Sequence, residues 1–153
     1  DGLIIPGGES TAISKLLLDY NLASEIKTLA NNGLPIFGTC AGMILLATQI
    51  PDPKVEPLGL MHIEVKRNAF GRQRESFETK LSIPVLGKKS FPGVFIRAPL
   101  IEQVNSKVEV LSRLENDTIV AVRQGKLLAT AFHPELTDDL RFHQYFLDIV
   151  NGH

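Results

Sequence analysis

The sequence has a single cysteine and no tryptophan among its 153 residues, and its formal net charge is only −1. One cysteine cannot form an internal disulfide, which is typical of proteins of a reducing, cytoplasmic compartment. A nearly balanced charge indicates no broad attraction to nucleic acid or to a membrane surface. No apolar run reaches the roughly 18 residues that are needed to span a bilayer. These features argue against a disulfide-stapled domain, a basic nucleic-acid binder and a membrane-spanning segment.

What the sequence does contain is enough apolar residues, 44% of the total, to build the core of one globular domain over residues 1–153. Its first third alternates apolar runs with helical patterns, which predicts strand–helix–strand units and therefore a parallel sheet. Strand-like segments dominate from residue 59 onward and predict an antiparallel extension. The fold class is therefore α/β with a mixed sheet.

The expected elements follow from periodicity and from turn residues. Ser10 or Thr11 is expected to cap the first helix. The predicted helices cover residues 10–18, 22–31, 41–48 and 138–150, and the predicted strands cover residues 3–5, 34–38, 59–67, 77–87, 93–99, 107–115, 118–125 and 126–132.

The only thiol lies in the stretch "FGTCAGM", on a predicted turn between a buried strand and a helix. Gly38 and Gly42 flank Cys40 at the spacing of a hydrolase nucleophile elbow, and they permit a sharp turn with close strand–helix packing. The N-terminus of the following helix would favour the thiolate form, and the Ala41 amide could stabilise an oxyanion. A small buried cysteine without chemistry is the alternative, and the two glycines favour a nucleophile.

A thiol nucleophile needs a base, and His133 is the strongest candidate among the four histidines. It follows a predicted strand in "AFHPE", where the proline favours an extended conformation for the residue before it. Residues two apart in an extended chain share a face, so Glu135 could orient the imidazole. His62 and His143 fit better as residues of a strand and a helix surface, and His153 is terminal.

The turn "PGGES" follows the first predicted parallel strand and should lie beside the cysteine turn. Its consecutive glycines allow a backbone amide to face the reacting centre as a second oxyanion donor. An ordinary glycine turn is the alternative. A phosphate-binding P-loop is excluded because no Gly-Lys-Ser/Thr follows.

Four motifs together carry a resemblance to a known family: "LIIPGGEST", "PIFGTCAGMILLA", "RNAFGRQRESFE" with "FIRAP", and "ATAFHPELTDD". The chain resembles the class I (triad) glutamine amidotransferases, and among them the glutaminase subunits of pyridoxal 5'-phosphate synthase. The resemblance runs along the whole chain. It implies a three-layer sandwich with a mixed, mainly parallel sheet, helices on both faces and an antiparallel extension. Relative to the family, the N-terminal part is expected to be absent from this sequence.

The resemblance also implies roles for individual residues. Cys40 would be the nucleophile, and His133 and Glu135 would complete the triad. The glutamine-binding residues would be Gly8, Glu9, Ser10, Arg67, Ile96 and Arg97, with the amides of Gly8 and Ala41 as oxyanion donors. By composition alone, Arg67 belongs to a basic cluster that is most often solvated.

The implied activity is hydrolysis of L-glutamine to glutamate and ammonia, with no metal or cofactor. The ammonia would pass to a barrel-shaped synthase subunit that makes pyridoxal 5'-phosphate, so a hetero-oligomer is expected. The alternatives are a non-catalytic regulatory subunit of the same fold, a glutaminase that serves a different synthase, and a related cysteine hydrolase that acts without a partner. The first is disfavoured by the intact triad, and the second by "RNAFGRQ".

Overall fold

A computed structural model of the chain describes residues 1–50, 52–66 and 76–153. Its helices are α1 (Ser10–Asp19), α2 (Leu22–Asn31), α3 (Ala41–Leu46) and α4 (Arg141–Val150). Its strands are β1 (Leu3–Ile5), β2 (Ile36–Thr39), β3 (Ala47–Gln49), β4 (Met61–Lys66), β5 (Ser76–Leu81), β6 (Phe91–Ile96), β7 (Leu100–Val104), β8 (Glu109–Arg113), β9 (Ile119–Gln124) and β10 (Leu127–Thr130).

The main sheet is mixed, as expected. Its strand order is β1-β2-β10-β9-β7-β4-β3, and β8 pairs with β9. Strands β1 and β10 lie parallel to β2 on its two sides, whereas β10–β9, β9–β7 and β7–β4 pair antiparallel. Strands β5 and β6 form a separate antiparallel pair. The carboxyl ends of β1, β2 and β10 therefore meet at one edge, where open sheets place their ligands.

Helices cover both faces of the central strand β2, which confirms the three-layer arrangement. Alternate residues of a strand face opposite sides. Phe37 contacts α4, with its ring centroid 5.7 Å from Phe142 and 5.5 Å from Phe146. On the other face, a Cβ added to Gly38 would lie 2.7 Å from the backbone of Gly42 in α3. Truncating a fully buried ring such as Phe37 to alanine should cost about 3–5 kcal/mol of stability.

Several predicted boundaries are wrong, and each has a local physical reason. The helix after Cys40 ends at Leu46 instead of continuing to residue 48, because Ala47 is extended and pairs with Met61 as β3. The predicted strand 77–87 ends at Leu81, and Pro84, which has no N–H to donate, begins a short 3₁₀ turn.

One strand and the starts of two helices also differ from the sequence pattern. The sequence pattern does not predict strand β7, because the segment "LIEQV" is short and only partly apolar. The last helix begins at Arg141 and not at 138. The first helix is capped by Glu9, whose carboxylate accepts the amides of Thr11 and Ala12. Ser10 is therefore the first helical residue and not the cap.

Candidate active site

Cys40 forms the turn between β2 and α3, as the glycine spacing predicts. Its φ and ψ are 53° and −106°, a conformation that non-glycine residues rarely adopt. Such strain persists only where the surroundings impose it, and it is typical of functional sites. One restraint is the hydrogen bond from the Cys40 amide to the carbonyl of Thr130 in β10, at 2.8 Å. The residue is 7% exposed, so the turn presents its thiol from a largely buried position.

Gly42 brings the first two motifs together, as expected from the sequence. A Cβ at this position would lie 2.0 Å from the carbonyl oxygen of Ile5, the last residue of β1. No side chain larger than hydrogen fits there unless the backbone moves. Because the "PGGES" turn follows Ile5 directly, this contact holds that turn beside Cys40.

His133 and Glu135 form the expected pair. The Nδ1 atom of His133 lies 2.7 Å from Oε1 of Glu135. The proline was expected to hold His133 and Glu135 in an extended segment. His133 is not helical, but Pro134–Leu136 forms a 3₁₀ turn, so the prediction of an extended segment was wrong. The short turn folds the carboxylate back toward the imidazole. The His133 amide donates to the carbonyl of Val94 at 2.8 Å, which fixes the backbone of this residue to β6.

The imidazole of His133 is influenced by both the thiol and the carboxylate. A side-chain hydrogen bond with Cys40 and a second one with Glu135 outweigh burial and raise the pKa of His133 to about 9. Burial tends to raise the pKa of Glu135, but hydrogen bonds from His133 and from the backbone bring it below its ordinary value. His143 in α4 also favours the ionised carboxylate electrostatically. Thiol, imidazole and carboxylate thus form one connected chain.

The first prediction concerns the titration of this chain. The pKa of His133 should be near 9 instead of 6.5. Because the pKa is raised in the folded state, the associated stabilisation is complete below about pH 6.5 and is lost as the pH rises toward 9. NMR titration of the imidazole signals, assigned with His133→Asn, measures this pKa. Cys40→Ala should lower it, since the contact with Cys40 is its largest cause. A wild-type value near 6.5 would contradict the connected chain.

The glycine turn lies against the base. A Cβ added to Gly7 would lie 2.4 Å from Cε1 of His133, so the backbone of this residue packs on the imidazole. Gly8 has a φ of +151°, which residues with a side chain rarely adopt. The glycine turn therefore lies beside His133, as expected for a turn that faces the reacting centre.

The two residues after this turn have different environments. The Glu9 carboxylate also accepts the Thr11 hydroxyl, so it is engaged at the start of α1. Ser10 is 2% exposed, and its Oγ has no hydrogen-bond partner among the described residues. A buried hydroxyl without a partner is uncommon and indicates a group that is available to a bound ligand.

Strand β6 brings the "FIRAP" motif to the thiol. Cys40 Sγ is 3.8 Å from the carbonyl oxygen of Ile96, to which it donates a weak hydrogen bond. Arg97 follows with a φ of 45°, again a rare value for a residue with a side chain.

Arg67, the remaining predicted glutamine-binding residue, lies outside the described residues. The contact of Val94 with His133 was not predicted, because a backbone carbonyl has no signature in the sequence.

The described parts of the chain offer no cluster of three or more His, Cys, Asp or Glu side chains suited to a metal ion. Within the same parts, each helix is too short or too polar to cross a bilayer.

Comparison with known proteins agrees with this architecture. The model of the SNO glutamine amidotransferase family matches residues 1–151. "Pyridoxal 5'-phosphate synthase subunit PdxT" of Moorella thermoacetica is 59% identical over 149 residues, which are 97% of this chain and 79% of that protein. The protein of the same name from Thermotoga neapolitana is 52% identical over 150 residues, covering 98% and 79% of the two chains.

Solved structures show the same likeness. A crystal structure of a glutamine amidotransferase superposes with a TM-score of 0.93 at 52% identity and covers 98% of this chain and 79% of that one. A crystal structure described as a GMP synthase component from Thermoplasma acidophilum shares only the fold, with a TM-score of 0.64 at 16% identity, covering 98% and 72%. The fold is thus that of a glutamine amidotransferase. Within that class, the chain belongs to the SNO glutamine amidotransferase family.

Proposed function

We propose that Cys40, His133 and Glu135 are the catalytic triad with which this glutamine amidotransferase hydrolyses L-glutamine to glutamate and ammonia. The observation that carries the assignment is the position of the His133 imidazole, which lies 2.7 Å from the Glu135 carboxylate and whose pKa is raised by Cys40. A nucleophile, a base and an orienting group in contact are what covalent catalysis on a carboxamide requires.

In the first half of the reaction, the Cys40 thiolate attacks the side-chain carbonyl carbon of glutamine. The resulting oxyanion is held by the amides of Gly8, in the glycine turn, and of Ala41, the first residue of α3. Collapse of the tetrahedral intermediate breaks the carbon–nitrogen bond, and protonated His133 supplies the proton that the departing ammonia needs. The raised pKa of His133 keeps the imidazole protonated for this step at neutral pH.

In the second half, His133 accepts a proton from a water molecule, which attacks the thioester carbon. The carbon–sulfur bond breaks, glutamate leaves, and Cys40 and His133 return to their starting state. Glu135 stabilises the imidazolium throughout and holds its ring orientation. These steps use only side chains and backbone amides of the chain.

Binding of glutamine is assigned to the backbone and side chains around the thiol. Gly8, Glu9 and Ser10 are assigned from the glycine turn and the start of α1, and the unpartnered Ser10 hydroxyl supports a ligand contact there. Ile96 and Arg97 are assigned from the "FIRAP" motif, and the contact of the Ile96 carbonyl with Sγ supports the first of them. Arg67 is assigned from its motif alone. An arginine can hold the substrate carboxylate with two parallel hydrogen bonds.

We infer that the ammonia passes to a pyridoxal 5'-phosphate synthase subunit in the cytoplasm. Support comes from the relatives, which are named as PdxT subunits of that synthase at 52–60% identity. The single cysteine fits a reducing compartment. Free ammonia would be lost to water, so docking of the synthase is expected to organise the site. The Gly7–Gly8 turn is suited to such a change because glycine peptides reorient at little cost.

Co-purification with the synthase subunit, followed by measurement of glutamate release from glutamine, tests the proposed function. The chain alone is expected to be slow, and the synthase should raise the rate. Cys40→Ala should still bind the synthase but release no glutamate, which separates docking from catalysis. A stable complex without glutamate release by the wild type would support a non-catalytic subunit. Full activity without any gain from the synthase would support a hydrolase that acts alone.

The second prediction concerns the contact between the glycine turn and the base. Gly7→Ala places a methyl group where the His133 ring lies, so the imidazole must leave its position between Cys40 and Glu135. A displacement of about 1 Å can cost about 100-fold in rate, and kcat should therefore fall roughly 10- to 100-fold. Steady-state kinetics with the synthase present measure this loss.

The control for this change is Gly125→Ala at the β9–β10 turn, where no neighbouring atom lies within 4 Å. The φ of +59° strains any side chain at this position, so the variant should lose some stability. It should leave kcat unchanged. An unaltered kcat in Gly7→Ala would show that the ring tolerates displacement and would remove the argument that this turn positions the base.

A further inference from the structure

The last residue of β10 connects the nucleophile to the base. Thr130 is fully buried, with 0% exposure. Its backbone carbonyl accepts the Cys40 amide at 2.8 Å. Its side-chain hydroxyl donates to the carbonyl of Phe132, also at 2.8 Å, and Phe132 is the residue directly before His133. One residue thus contacts the backbone on the nucleophile side and on the base side of the site.

The hydroxyl acts at the point where the chain changes its hydrogen-bonding partner. The Ala131 amide still donates to Val120 in β9, at 2.9 Å, whereas the His133 amide donates to Val94 in β6, at 2.8 Å. Between them, Phe132 is fully buried, and its carbonyl has the Thr130 hydroxyl as a partner. A buried carbonyl needs such a partner, so the hydroxyl favours the one chain direction in which His133 faces Cys40.

We propose that Thr130 is a positioning residue for glutamine hydrolysis, whose hydroxyl sets the placement of His133 relative to Cys40. This inference rests on the proposed triad. Thr130 reaches the reacting atoms only through the backbone of Cys40 and Phe132. Loss of the hydroxyl should therefore impair proton transfer in the assembled site more than the binding of glutamine.

The test compares two substitutions in the full chain with its synthase. Thr130→Val keeps the shape of the side chain but removes the hydroxyl, and kcat is expected to fall roughly 10- to 100-fold with little change in KM. Thr130→Ser keeps the hydroxyl and loses only a methyl group, so it should retain kcat close to that of the wild type. The opposite responses of the two variants are the signature of the hydrogen bond.

A second readout requires no glutamine. The rate at which iodoacetamide alkylates Cys40 should depend on pH through the groups that face the thiol, which are His133 and, through it, Glu135 with His143 behind it. Thr130→Val should shift this pH profile because His133 is no longer held against the thiol, and Thr130→Ser should not.

Ser112→Ala is the matched control for a purely structural effect. Ser112 is a buried residue of β8, and its hydroxyl donates to the backbone carbonyl of Ser82 at 2.9 Å, outside the triad and its contacts. Its loss removes the same kind of hydrogen bond. The variant should lower the thermal midpoint but change neither kcat nor the alkylation profile.

Each outcome decides the proposal. An unchanged kcat and an unchanged alkylation profile in Thr130→Val would overturn it. A loss of kcat in Thr130→Ser as large as that in Thr130→Val would also overturn it, because the effect would then come from packing of the methyl group. If Thr130→Val does not fold, the Thr130→Ser variant decides: kcat and an alkylation profile close to those of the wild type would support the proposal, and a loss of both would overturn it. Absence of glutamate release by the wild type with its synthase would refute the proposed function instead, while the alkylation profile would still test the positioning of His133.

Discussion

Cys40→Ala is expected to abolish glutamine hydrolysis and to leave the fold intact. Alanine cannot form the thioester, and loss of a nucleophile that acts together with its base costs on the order of 10⁴- to 10⁶-fold in rate. The backbone should not change, because Cys40 already has a φ of 53° and alanine meets the same steric limits there. The hydrogen bond from the Cys40 amide to the Thr130 carbonyl also needs no side chain. Glutamate release with the synthase present, together with the thermal midpoint, measures both parts.

Labelling provides the control for this prediction. An electrophilic glutamine analogue should alkylate the wild type at Cys40 alone, as located by peptide mass spectrometry. An excess of glutamine should protect the thiol, since both compete for one site. Cys40→Ala should remain unlabelled. Substantial glutamate release by the alanine variant would show that Cys40 is not the nucleophile and would return it to the role of a small core residue.

The cysteine turn was predictable from sequence because its geometry is local. Glycines at positions 38 and 42 indicated close packing of a strand, a turn and a helix, and the structure shows why both are needed. A Cβ at Gly42 would overlap the Ile5 carbonyl, and a Cβ at Gly38 would overlap the backbone of Gly42. The same contacts bring "PGGES" to the thiol. Glycines that allow close packing can therefore indicate how a site is assembled as well as its functional side chains do.

The partners of the triad that lie on the backbone were not predictable from the residues. The carbonyls of Val94, Ile96 and Thr130 contact His133, Cys40 Sγ and the Cys40 amide. Every residue has such a carbonyl, so only the tertiary arrangement of β6 and β10 around β2 selects these three. The family motif "FIRAP" indicated that Ile96 belongs to the site, but it did not specify which atom of the residue is used.

The wrong boundaries also reflect tertiary effects. The run "ILLATQI" is mostly apolar, and its periodicity does not separate the last turn of a buried helix from a buried strand. Pairing of Ala47 with Met61 decides between them.

Glu9, and not the expected Ser10 or Thr11, caps the first helix because its two carboxylate oxygens reach the amides of both Thr11 and Ala12. Charged acceptors bind such amides more strongly than a hydroxyl does.

His133→Asn is expected to lower glutamine turnover by about 10²- to 10⁴-fold, the usual contribution of a general acid–base. Asparagine cannot carry the proton that His133 moves between Cys40, the leaving ammonia and water. Glu135→Ala should lower turnover by a smaller factor, because the imidazole remains in place through two other contacts. The Gly7 backbone packs against its ring, and the His133 amide stays bonded to Val94. Thioester formation and kcat in both variants, with the synthase present, measure the two losses.

His62→Asn is the matched control, since it makes the same substitution on an exposed position of β4, where the backbone amide of the residue is bonded to Gln124. It should leave turnover unchanged. Near-wild-type turnover in His133→Asn would contradict the triad and would direct attention to His143, which favours the ionised Glu135 from α4. A loss in Glu135→Ala as large as that in His133→Asn would instead show that packing on Gly7 does not hold the ring. The carboxylate would then be what keeps the imidazole in its catalytic orientation.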